Sequence, residues 1–318
     1  MSWLNGKTLT ILGCGYVGTA LATRALREGA QVSALTRNRD TGATLAALGC
    51  DVVVEDLASD AWHRDWAEGA DAVVVCVGSG GPSLEEYRRS YVDGVASVQR
   101  WLRMLAEPPA AGIFTSSTSV YPQSDGVVVD ERADTTDSSA HGAILREAEN
   151  RWHTSTLARS VVLRLAGIYG PGRHQLLDQL RSGATEMRGG RQRLNLAHRD
   201  DVVSAILACL TADFPEGSRT YNIADGNPGP RDDVIAWLAR RLGLPLPQLI
   251  ESARRTGEPV RDRVISSAAL QSDTRWCPLF PDFRAGYESI LGQNDAVQPR
   301  ISRNNTDGSG AESGANLA

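Results

Sequence analysis

Gly13, Gly15 and Gly18 stand in the spacing G-x-G-x-x-G within ILGCGYVGTAL, with Tyr16 and Val17 between the second and third glycines. An apolar run precedes them and a helical pattern follows, which gives the spacing a physical meaning. The first glycine permits a tight turn, and the second lets an anion come up against the backbone. The third lets helix and strand approach closely. The N–H groups and positive dipole end of the helix start then suit a pyrophosphate. A kinase-type glycine loop is excluded, because Ala20 stands where its valine should be and HRDD at 198–201 lacks the asparagine four residues on, where Ala205 stands.

The end of the second apolar run bears on which dinucleotide would fit. An acidic residue there accepts from a ribose 2′-OH, whereas an arginine favours a 2′-phosphate. This chain reads SALTRNRD, with Thr36 and Arg37 and no acid before Asp40. NADP(H) is therefore preferred, with NAD(H) left open and a merely solvated Arg37 as the alternative. Asp56, Val77, Gly78 and Thr115, at the ends of the third, fourth and fifth runs, are the further positions expected along the cofactor.

Proton-transfer chemistry is harder to place. SSAHGAILREAENRW, residues 138–152, reads as a helix with serine caps and an apolar stripe of Leu145, Ala148 and Trp152 headed by His141. A histidine exchanges protons near neutral pH, but one near a helix start can equally hydrogen-bond a neighbouring carbonyl and do nothing more. The chain has a single lysine, Lys7, so mechanisms built on a lysine beside the substrate are close to excluded. Five histidines form no H-x-x-x-H, and five scattered cysteines form no C-x-x-C, so no metal site is expected.

These residues must be positioned by ordinary globular elements. The 318 residues are 42% hydrophobic and 22% charged, with a net charge of −5 that argues against a general nucleic-acid binder. No run is long enough to span a bilayer, and the N-terminus lacks the pattern of a signal peptide, so a cytoplasmic protein with no membrane partner is expected.

Apolar runs at 8–13, 31–37, 51–57, 71–78, 111–119 and 160–170 alternate with helical patterns at 16–28, 40–48, 83–106 and 139–158. Strands apolar on both faces and joined by helices make a doubly wound parallel α/β sheet, a Rossmann domain over 1–170. Residues 200–226 return to it, with a helix at 201–211 and a short strand in RTYNIA. A smaller substrate-side region is expected over 171–199 and 227–292, with a helix at 231–242. The polar stretch 293–318 has no periodicity and is expected to be disordered.

GCGYVG, FTSSTSVYP, RLAGIYGPGR, LNLAHRDDV and YNIADG, in this order, resemble the extended short-chain dehydrogenases/reductases of the NAD(P)-dependent epimerase/dehydratase family from about Thr8 to Leu291. The resemblance implies an NAD(P)-binding oxidoreductase or epimerase, with Ser117 hydrogen-bonding the reacting oxygen. It also implies a tyrosine and a lysine in Y-x-x-x-K, where this chain has His141 and Leu145. The nearest likeness is to an atypical branch that lacks this pair.

His141 could stand in for the tyrosine. Tyr121, four residues past Ser117, is a second candidate, although a packed residue is the favoured reading for it. Arg173 closes RLAGIYGPGR, and Arg188 and Arg193 lie with Arg191 and Arg199 where relatives hold the distal part of a substrate. Their guanidinium forks suit a small anionic metabolite, nucleotide-linked or carboxylated, although a solvated loop would look the same. His198 and Asp201 are expected to tie this segment to the sheet. A catalytically degenerate sensor of the dinucleotide, a non-redox lyase or cyclase, and a homodimer all stay open.

Overall fold

The computed structural model describes residues 2–250 and 262–295. One sheet is built from β1 (Thr8–Leu12), β2 (Gln31–Thr36), β3 (Asp51–Val54), β4 (Ala72–Val75), β5 (Ala111–Ser117), β6 (Arg159–Leu165) and β7 (Gly217–Ile223). Its seven strands run in the order β7-β6-β5-β4-β1-β2-β3, every pairing parallel. The inner strands can be apolar throughout because helices cover both faces; all four residues of β4 are buried. Strand order reverses between β1 and β4, so the connections leave them in opposite directions and open a crevice at their carboxyl ends.

The helices are α1 (Tyr16–Arg27), α2 (Arg39–Ala47), α3 (Leu84–Arg88), α4 (Gly94–Met104), α5 (Ala140–His153), α6 (Gln175–Arg181), α7 (Arg199–Thr211), α8 (Arg231–Leu242), α9 (Ala268–Thr274) and α10 (Phe283–Asp295). α1 packs on α7, and α4 on α5. α5 starts as its sequence suggests: Ser139 Oγ accepts from Gly142 N–H at 3.3 Å, and Leu145, Ala148 and Trp152 are fully buried. Removing a leucine of this kind from water contributes roughly 2 kcal/mol. The helix stops at His153, short of residue 158.

Two other boundaries differ from the sequence reading. The single helix expected over 83–106 is interrupted by a π turn, Arg89–Asp93, which joins α3 to α4. Gly94 there lies so close to Leu57 that a Cβ would sit 3.0 Å from its Cδ2. α10 runs to Asp295, so the polar stretch from 293 begins inside a helix; residues 296–318 lie outside the described residues.

A second cluster of buried side chains lies apart from the sheet's core. It is drawn from Tyr169, α6, Met187, α8 and α10. At the seam, Asp201 on α7 accepts from Leu279 N–H at 2.6 Å and Phe280 N–H at 3.2 Å, and His198 lies against the Phe280 ring at 4.0 Å. These contacts tie the segment before α10 to the sheet.

Asp225, just past β7, is buried there with Oδ2 unpartnered. Burial pushes its carboxyl up to about 7, and Asp282 and Asp201 add to this, against the Asn227 N–H. A carboxyl with a raised native pKa stabilises the fold when protonated, and that contribution is lost as pH rises from about 4 through about 7. Asp225→Asn keeps the acceptor for Asn227 and removes the charge. Thermal melts should therefore show the variant a few degrees more stable than the parent at pH 8, with the difference shrinking as pH falls through 7 and vanishing only below about pH 4.

Candidate functional site

A cleft of about 740 Å³ opens at the carboxyl ends of β1 to β6. Its floor is the glycine turn, and the three glycines there meet three different constraints. Gly13 has φ +92°, and a Cβ on it would lie 2.6 Å from Val77 Cγ1. Around Gly15 there is open space, with nothing within 4 Å of where a Cβ would project. On Gly18 a Cβ would come 2.9 Å from the Gly13 carbonyl oxygen, so its absence lets α1 approach β1. Gly18 accordingly lies behind the cleft, whereas Gly13, Gly15, Tyr16 and Val17 line it. No side chain caps α1 at Gly15, and no acidic residue stands in its first turn. Positive potential from the helix start is thus left for an external anion. A pyrophosphate fits this cradle.

Arg37, Asp56, Val77, Gly78 and Thr115 line the same cleft. The Arg37 guanidinium lies over Gly80, where a Cβ would be 2.9 Å from NH1. Burial alone would raise the Asp56 carboxyl, but the Ala58 N–H, Arg89 at 3.0 Å and the charge of Arg37 hold it below its ordinary value. Thr115 donates to the Val75 carbonyl at 3.2 Å. Cys76 is no thiolate nucleophile, since burial pushes its thiol up to about 12.

Ser117 lines the cleft. Its Oγ accepts from Ser119 N–H at 3.1 Å, which leaves the hydroxyl proton free to donate elsewhere. The other two proton-transfer candidates are placed differently. Tyr121 is fully buried and outside the cleft lining. Its hydroxyl donates to Asn222 Oδ1 at 2.8 Å and accepts from Arg164 NH1 at 2.9 Å. Arg164 in turn pairs with buried Glu149 at 2.7 Å, which accepts from Ser116 Oγ at 2.6 Å. Tyr121 is a member of this buried polar network, the packed reading, and cannot reach a substrate. His141 is also outside the lining. Its Nε2 lies 3.3 Å from the Pro82 carbonyl, and its ring meets Tyr87 edge-on at 4.8 Å. Leu145, at the lysine position, is core, and Lys7 sits at the opposite edge of the sheet, paired with Asp71 at 2.9 Å.

Of the three arginines expected on the substrate, only Arg173 faces the cleft. It stacks over the Tyr16 ring at 5.6 Å, while Arg199 lies 5.3 Å from the same ring and the Tyr16 hydroxyl donates to the Pro171 carbonyl at 2.9 Å. Arg193 is drawn away by Asp262, 2.7 Å from its NH1. Arg188 ends a short strand, Glu186–Arg188, that pairs with Gln248–Ile250, and lies outside the cleft. Among the described residues no three His, Cys, Asp or Glu side chains gather as a metal site.

Among the cleft residues that went unnoticed in the sequence are Tyr87 and Tyr91. Their i, i+4 spacing on an expected helix was the available signal.

The model of the NAD dependent epimerase/dehydratase family matches residues 9–224. The chain belongs to this family. Protein YeeZ of Escherichia coli strain K12 is 30% identical over 284 residues, covering 87% of this chain and 97% of that protein. Among solved structures, WbmG of Bordetella bronchiseptica in complex with NAD and UDP has a TM-score of 0.78 at 16% identity, covering 92% of this chain and 96% of that one. MoeE5 in complex with UDP-glucuronic acid and NAD has a TM-score of 0.75 at 22% identity, covering 92% and 100%. This epimerase/dehydratase family member therefore has the fold of NAD-binding neighbours, with His141 and Leu145 where Tyr and Lys are expected and neither side chain lining the cleft.

Tyr121→Phe should lower stability by about 1–3 kcal/mol, because Arg164 and Asn222 each lose a buried partner. Denaturant melts would measure this, while dinucleotide affinity should stay unchanged.

Proposed function

We propose that the chain is an NADP(H)-dependent oxidoreductase that reduces a carbonyl group on a small, polar, anionic metabolite. The observation that carries this is the open, uncapped glycine cradle at the strand-order reversal, with Arg37 at the end of β2. The turn's N–H groups and the α1 dipole would hold the pyrophosphate, and Arg37 the 2′-phosphate. When bound, the reduced nicotinamide supplies the reducing equivalent.

The remaining work falls to the chain's own residues. Ser117 would donate a hydrogen bond from its hydroxyl to the substrate oxygen and orient it. Arg173, preorganised against Tyr16, would pair with a phosphate or carboxylate. Two structural neighbours whose complexes include UDP or UDP-glucuronic acid support an anionic, nucleotide-linked class. They hold NAD, and Arg37 is the reason for preferring NADP(H) here. The missing lysine favours a second reading, a dinucleotide sensor without turnover. Such a protein would bind NADPH and change its assembly, yet reduce nothing.

Arg37→Leu tests the cofactor assignment. Charge-assisted hydrogen bonds of about 1.5–3 kcal/mol predict an NADPH affinity reduced about tenfold to a hundredfold by calorimetric titration, with NADH binding unchanged. Equal effects on both cofactors would remove Arg37 from the 2′-phosphate site.

A further inference from the structure

With Tyr121 buried and His141 outside the cleft, the phenols that line it are Tyr16, whose hydroxyl donates to the Pro171 carbonyl, and Tyr87 and Tyr91, on the segment packed against α5. Tyr87 lies on α3, lines the cleft and is half-buried. Tyr91 follows one turn later inside the π turn and is buried. A π turn rotates the residues after it relative to a regular helix and recurs at functional sites; here it joins the helix that carries Tyr87 to α4. The two rings are 4.7 Å apart. His141 closes the other side of Tyr87, its plane at 90° to the phenol ring.

We propose that Tyr87 is the proton donor of this site, a phenol supplied from α3 where relatives supply one from α5, with His141 as the residue that positions its ring. The inference rests on the reductase reading above. In the step, the carbonyl carbon accepts a hydrogen with both bonding electrons from the reduced nicotinamide, which is thereby oxidised. The C=O π pair becomes a lone pair on oxygen, and that oxygen takes the proton from the Tyr87 O–H bond. The phenolate is reprotonated by solvent at the cleft's rim, where Tyr87 is partly exposed.

The surroundings suit an acid better than a base. Burial raises the Tyr87 phenol above its ordinary value, more than the neighbouring Tyr91 and Ser119 hydroxyls lower it. Ser119 Oγ is itself buried without a close hydrogen-bond partner. The titratable groups packed against Tyr87 are Tyr91 from its own segment and His141 from α5. No lysine is near, so the phenol keeps its proton at neutral pH and has one to give.

The test uses the full chain with 3-fluorotyrosine in place of tyrosine, each signal assigned by a Tyr→Phe variant. Fluorine NMR then follows Tyr87, Tyr16 and Tyr121 during titration with NADP⁺ and with NADPH. A phenol beside the nicotinamide feels the positive charge of the oxidised ring. The Tyr87 signal should shift with both cofactors, and its ionisation should fall at least about half a unit lower with NADP⁺ than with NADPH. Tyr121 should not respond. Tyr87→Phe should keep NADPH affinity within twofold, and His141→Phe should broaden or move the Tyr87 signal without cofactor. If Tyr16, beside the pyrophosphate cradle, responds and Tyr87 does not, the proton-donor assignment is wrong while the cofactor reading stands. If neither responds, both fall together.

Discussion

The approach of Gly18 to the Gly13 carbonyl is the contact on which the rest of the site depends. With a side chain at position 18, a Cβ would lie 2.9 Å from that oxygen, and α1 would have to back away from β1. The start of α1 would then no longer sit over the crevice where strand order reverses. Its uncapped N–H groups, the open space at Gly15 and the cation–π stack of Arg173 on Tyr16 all follow from that placement. A sheet edge, a helix dipole and a cationic side chain are thereby aimed into one volume, and none of them needs a titratable side chain to bind an anion.

The opposite end of the cleft is held by different physics. Glu149, Arg164 and Tyr121 form a buried network linking α5, β6 and the turn after β5, and Ser116 on the cleft wall donates into it. Buried charges are tolerated only when fully partnered, so this network fixes β5 and α5 in register. That rigidity has a consequence for chemistry. Leu145 and Tyr121 are committed to the interior, His141 is turned to the Pro82 carbonyl, and the hydroxyls left facing the cleft belong to serines, threonines, Tyr16 and the phenols of Tyr87 and Tyr91.

Much of this was legible in the sequence because it rests on local patterns. The strands are apolar on both faces, the glycines have a fixed spacing, and α5 carries its own cap and stripe. Arg37 could be read because its position at a strand end is set by β2 alone. What escaped depends on residues far apart in the chain. Tyr121 looks like a candidate donor until Arg164 and Asn222 arrive from β6 and β7 to bury it. Arg193 looks like a free cation until Asp262, 69 residues on, takes its guanidinium. The stretch 83–106 read as one helix, with nothing to announce the π turn that joins Tyr87's helix to α4, and that phenol went unnoticed.

The central claim is that the cradle still binds a dinucleotide although the usual proton-transfer pair is gone. Titration of the purified protein with NADPH and with NADH, following nicotinamide fluorescence, tests it most directly. Saturable binding at one site per chain, tighter for NADPH than for NADH, is the predicted result. No saturable change with either cofactor would contradict the account and turn attention to non-redox chemistry in the cleft beside Arg173.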